Sequence, residues 1–194
     1  MTRDTSALFQ PIRFGAIDAP NRIVMAPPTR TRANSEDAVH ALQAGYYTQR
    51  ATAGSIVSEA TQISPQGKGY AGAPGIHSKA QIDGWHGVTQ AVHAAGGRMV
   101  LQLWPVGRVS HPSLKPGGAL PVAPSAIGFE GHSHTYGGPQ DFVVPRALGT
   151  AEIPGIIADY AQAARNARAA GFDGVEIHSA SGAPTGWASV CPRP

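Results

Sequence analysis

Short apolar runs alternate with amphipathic stretches along the chain. Arg22-Ile23-Val24-Met25-Ala26-Pro27, closed by Pro27-Pro28, predicts a buried strand. His40 to Ala53 has helical spacing and stops at Gly54. Ser55-Ile56-Val57-Ser58-Glu59-Ala60-Thr61 predicts a second strand, and a Gly/Pro-rich loop runs from Ser64 to His77. Ser78-Lys79-Ala80-Gln81 has the form of a capping box, in which the serine oxygen takes a backbone N–H and the glutamine reaches back. The helix that follows carries Ile82, Trp85, Val88 and Val92 on one side and ends at Gly96-Gly97.

Met99-Val100-Leu101-Gln102-Leu103-Trp104 predicts the third strand. A long loop from Pro105 to Leu148 contains Phe142-Val143-Val144-Pro145, a candidate short strand or lid. Thr150 is placed to cap a helix whose face is Ile153, Ile156, Ile157, Tyr160, Ala163 or Ala164, and Ala167. Gly171 ends it, and Gly174-Val175-Glu176-Ile177-His178 is the fourth strand. Three strand–helix pairs followed by a strand predict a parallel sheet, because continuous apolar strands are covered on both faces. The expected fold is α/β: a (β/α)8 TIM barrel truncated to about its first four βα units, over 1–180. Long loops at the strands' carboxyl ends fall where barrel enzymes place their chemistry. Residues 181–194, SGAPTGWASVCPRP, break the pattern with neither strand nor helix period.

Composition narrows the function class. The 194 residues carry 42% hydrophobic and 14% charged side chains, a balance that supports a packed core and excludes a disordered chain. No apolar run approaches the roughly 20 residues of a membrane helix, and Met1-Thr2-Arg3-Asp4-Thr5 lacks a signal-peptide layout. The single cysteine, Cys191, excludes an internal disulfide and fits a reducing, cytoplasmic location. The net charge of +3 does not indicate nucleic acid: the basic residues are scattered, their densest group being Arg30-Thr31-Arg32, without interleaved aromatics.

Four segments at successive strand ends carry a resemblance. They are Asn21 to Arg30 (NRIVMAPPTR), Ser58-Glu59-Ala60 with Ile63-Ser64-Pro65-Gln66-Gly67, Gln102-Leu103-Trp104 with Gly107-Arg108, and Gly171 to Ala180 (GFDGVEIHSA). From Leu8 to Ala180 the chain resembles the Old Yellow Enzyme family, FMN-dependent NAD(P)H:flavin oxidoreductases and ene-reductases with a TIM-barrel fold. The resemblance implies FMN as cofactor, NADH or NADPH as reductant, and a small-molecule substrate such as an activated alkene. Pro27, Pro28 and Thr29 match the segment under the flavin ring, where the threonine hydroxyl bonds the carbonyl near N5. Ala60 matches a small position that lets backbone approach the flavin. Gln102 matches the amide pairing with the pyrimidine edge, which needs both donor and acceptor. Trp104 would line the substrate side. His178 matches the first of two donors to the substrate carbonyl, whose polarisation opens the β-carbon to hydride.

Taken without that resemblance, Thr29 is also an ordinary strand-end hydroxyl and His178 also a satisfied core histidine. Gln102 within an apolar strand is harder to read as structural, since a buried amide left unpaired costs about 1–3 kcal/mol. Gly67-Lys68-Gly69-Tyr70-Ala71-Gly72 fits GxGxxG but lacks the strand–turn–helix context. His132-Ser133-His134 lacks a third metal ligand and reads as a solvated loop. His86 and His93 read as the wet face of their helix.

Beyond Ala180 the chain departs from the family pattern. Ser181 stands where the second carbonyl donor, Asn or His, is expected, and Ala183 where a proton-donating tyrosine is expected. We expect 181–194 to be an out-of-frame reading: Pro184-Thr185-Gly186 codons read one base later permit Leu-Leu-Asp. A half barrel would leave edges open to self-association. Two alternatives stay open: a non-catalytic half-barrel that needs a partner chain, and an RNA-directed FMN barrel. The second ranks last, because its acid would be a loop cysteine and Cys191 lies in the tail.

Overall fold

The computed structural model describes residues 5–128 and 130–178. Ala180, Ser181, Ala183, Cys191 and the expected out-of-frame segment lie outside the described residues.

Four strands form a parallel sheet: β1 (Val24–Met25), β2 (Ser55–Val57), β3 (Met99–Trp104) and β4 (Gly174–Ile177), side by side in that order. Three helices connect them: α1 (Ala41–Thr48), α2 (Lys79–Ala94) and α3 (Ile153–Ala169). Helix α2 starts as expected, with Ser78 accepting the Gln81 N–H while the Gln81 side chain accepts the Ser78 N–H. Gly96, at φ +81, turns the chain out of the helix towards β3.

The core lies between the sheet and its helices. Ile56, Met99, Leu101 and Leu103 meet Trp85, Val88 and Val92 from α2, with Ala163 and Ala167 from α3. Strand alternation therefore turns Val100, Gln102 and Trp104 to the other face of the sheet, its interior face. At the amino-terminal end of that interior, the hairpin Ile12–Phe14/Ile17–Ala19 buries Ile17 and Ala19; Ile17 lies beside Gly174.

Several elements differ from expectation. The first strand keeps only two residues, and Ile23 and Val24 are exposed rather than buried, because β1 is the outer strand of the described sheet. An apolar run implies burial only where a neighbouring strand or helix covers it. The His40–Ala53 stretch is helical only as far as Thr48, and His40 is its cap. The second strand breaks after Val57; Thr61–Gln62 resumes the pairing with β3 further along. In the long loop, Phe142 to Pro145 is not a strand. The pairing there is Val122–Ala123 with Arg146–Ala147, and a hairpin joins His132–Thr135 to Gly138–Asp141.

Thr150 begins a 3-10 turn rather than capping α3. Glu152 closes that turn by accepting the Gly149 N–H and the Arg146 guanidinium. His93 is not simply a wet-face residue. Its Nε2 lies 2.9 Å from Asp173, whose carboxylate also accepts the Met99 N–H and so ties α2 to the start of two strands.

Candidate active site

The register of β3 and β4 assembles the interior polar groups. Gln102 stands opposite Glu176, and its Nε2 donates to Glu176 Oε1 at 2.5 Å. Gln102 is almost wholly buried, and its backbone N–H donates to Ser58 Oγ at 3.2 Å. One step towards the carboxyl ends, Trp104 lies between Tyr70 and His178, with both ring-centroid distances 5.8 Å. The His178 N–H extends the ladder to the Leu103 carbonyl. The Trp104 indole N–H is buried and has no partner among the described residues.

Gln102, Trp104 and His178 therefore come together on one face. Ala60 is buried at the carboxyl end of β2, and Pro27, Pro28 and Thr29 follow β1, two strands away from Gln102 in the sheet order. Thr29 is exposed.

The Pro27–Arg32 segment is held from two sides. Glu59, without exposed surface, accepts the Arg30 N–H at 2.9 Å and the Tyr47 hydroxyl at 3.4 Å, while the Glu59 N–H donates to that hydroxyl oxygen. Burial pushes the Glu59 carboxyl above its ordinary range, and burial beside Glu59 pushes the Tyr47 phenol up as well. On the other side, Thr31 adopts φ +52 against Gly72. A Cβ on Gly72 would fall 2.7 Å from the Thr31 carbonyl, and Gly72's own φ is +73, so only glycine fits. The Ala33 N–H donates to the Gly72 carbonyl and completes the clasp.

Glu59 and Tyr47 were not singled out as functional by sequence reasoning. The available signal was a carboxylate inside an apolar strand, which demands a buried partner. A second missed cluster joins the loops: Asp37 accepts from Lys68 Nζ and from Gln62 Nε2 at 2.9 Å, at a φ of +57.

Two hollows lie away from the interior face. One, of about 250 Å³, lies between the loops after β2 and β3 and the start of α3, and includes Gln66, Arg146, Glu152 and Asp159. The other, of about 170 Å³, is lined by Arg30, Arg32, Leu42, Gln43 and Tyr46. No group of three or more metal-ligating side chains occurs among the described residues, and His132 and His134 only pack ring on ring. No helix among them is long and apolar enough to cross a membrane.

The fold is shared with known proteins. Chanoclavine-I aldehyde reductase of Penicillium roqueforti is 48% identical over 179 residues, 90% of this chain and 46% of that one. Morphinone reductase, solved in complex with tetrahydroNAD, superposes with a TM-score of 0.85 at 52% identity, over 90% of this chain and 49% of the other. The old yellow enzyme homologue of Zymomonas mobilis gives 0.85 at 52% identity, over 88% and 48%. The chain thus spans about half the length of the relatives it matches. The sequence profile of the NADH:flavin oxidoreductase / NADH oxidase family matches residues 7–183. On the profile and the shared fold together, the chain belongs to that family, the Old Yellow Enzyme homologues.

Proposed function

We propose that this chain is the front portion of an FMN-dependent NAD(P)H oxidoreductase of the ene-reductase type. The observation that carries the reading is Gln102, a buried amide on the interior face, one step from the Trp104–His178 pair. The donor set fits a flavin ring. An amide both donates and accepts, as the pyrimidine edge requires, and Ala60 leaves room for close backbone approach. FMN, when bound, supplies the hydride exchange between a nicotinamide and an electron-poor alkene.

Within that reading each residue has a separate task. Gln102, with Glu176 holding its amide nitrogen, orients the ring edge. Thr29 offers a hydroxyl to the carbonyl near N5, and Pro27 and Pro28 stiffen the backbone beneath. His178 donates to the substrate carbonyl, and Trp104 walls the substrate side. A preorganised donor of this kind contributes roughly 10²–10³-fold to a rate. Ala183, at the position where a proton-donating tyrosine is expected, has no proton to give, so the α-carbon proton comes from another group or from water.

FMN titration of the purified chain, followed by flavin absorbance and fluorescence, tests the reading. Saturable binding that weakens at least tenfold in Gln102→Leu is expected. Equal binding by parent and variant would defeat it.

A second reading, a half-barrel completed by a partner chain, is favoured by the exposed Ile23 and Val24 at one sheet edge and Val175 and Ile177 at the other. Co-purification of a second polypeptide supports that reading; a lone chain that binds flavin supports the first.

A further inference from the structure

Gln43 is 2% exposed, yet its Nε2 has no hydrogen-bond partner among the described residues. Its Oε1 is already used, accepting the His40 N–H at the start of α1. The side chain borders the hollow of about 170 Å³ shared with Arg30, Arg32, Leu42 and Tyr46. Arg30 and Arg32 enter no salt bridge among the described residues. Arg32 spends one nitrogen on the carbonyls of Arg30 and Thr31, at 3.2 and 3.3 Å. The guanidinium of Arg30 lies over the Tyr46 ring at 4.8 Å, and that of Arg50 over the same ring at 3.9 Å. Glu59 accepts the Arg30 backbone N–H, forms no salt bridge with its guanidinium, and feels its charge only as a minor influence.

We infer that this hollow is an oxyanion site, taking a carboxylate or phosphoryl group. Two guanidinium groups and a free amide N–H2 offer donors only, which repels cations and suits planar or tetrahedral oxygens. Leu42 and the Tyr46 ring form the apolar part of the lining, so the anion's body can be apolar or flat. None of Gln102, Trp104 and His178 lines it, although Arg30 directly follows Thr29.

Titration of the chain with inorganic phosphate and, separately, benzoate, watching the Gln43 side-chain amide by nitrogen–proton NMR at constant ionic strength, tests this. At least one anion should saturate and move the Gln43 resonance. Arg32→Ala, at an exposed position, should weaken binding at least tenfold. Gln43→Glu keeps the oxygen that caps α1 but replaces the free donor with a carboxylate, and should abolish binding while the protein stays folded. Tighter benzoate identifies a carboxylate on a flat body, and tighter phosphate a phosphoryl group. Saturation by neither anion, or equal binding by parent and both variants, overturns the inference.

Discussion

At Glu59 a carboxylate with no exposed surface meets the Tyr47 hydroxyl and the Arg30 N–H, so helix α1 is coupled to the segment that carries Thr29. Glu59→Leu strands the buried Tyr47 hydroxyl without its acceptor, at about 1–3 kcal/mol. Glu59→Gln retains an acceptor and should lose less; urea unfolding of both variants checks the order. Lys115 is the opposite case, a buried amine donating to the Gln66 and Lys68 carbonyls. Burial, and then the Lys68 charge, bring it down to about 7 from 10.5. Between those values the folded chain binds fewer protons than the unfolded one, so stability should rise as pH climbs from about 7 towards 10.5. Stability against pH in the parent and in Lys115→Met checks this, the variant losing the rise.

Among elements, α2 separates intrinsic helix preference from packing. Gly84 faces Val39, whose carbonyl would lie 2.5 Å from an added Cβ, whereas Gly87 faces open space. Gly87→Ala should stabilise by about 0.5–1 kcal/mol. Gly84→Ala should destabilise despite the same gain in preference, and thermal melts of the two single variants decide it.

The same helix shows what was legible in the sequence. Its cap, its buried row Trp85, Val88 and Val92, and the strand Met99–Trp104 follow from local chemistry and period alone. The exposure of Val24 and the position of the Arg146–Ala147 pairing depend on neighbours distant in sequence, which no local pattern encodes. The candidate site divides likewise. Gln102 stood out as an amide in an apolar strand, while its neighbour Glu176 was named only as part of a motif. The carboxylate–amide contact required the register of two strands 74 residues apart. The donor-lined hollow at Gln43 left no periodic trace at all.

For the whole molecule, the outer strands of the described sheet and the exposed side of α3 lead us to predict self-association. Ile157 and Ile177 are 63% and 61% exposed, and unpaired strand edges invite pairing with another chain. Concentration-dependent self-association is the expected outcome. Sedimentation velocity should show it reduced in the Ile157→Lys, Ile177→Lys double variant, with little change in melting temperature because neither side chain is buried. Unchanged association would place the contact elsewhere.

The Asp173 clasp also bears on how the chain assembles. Its carboxylate reaches back 74 residues to the Met99 N–H, and beside it Gly174 meets Ile17 from the opening hairpin. The floor of the interior therefore closes only after nearly the whole described length has left the ribosome. Refolding should be slow compared with a helical bundle of similar size, because distant segments must find each other before any gain is returned.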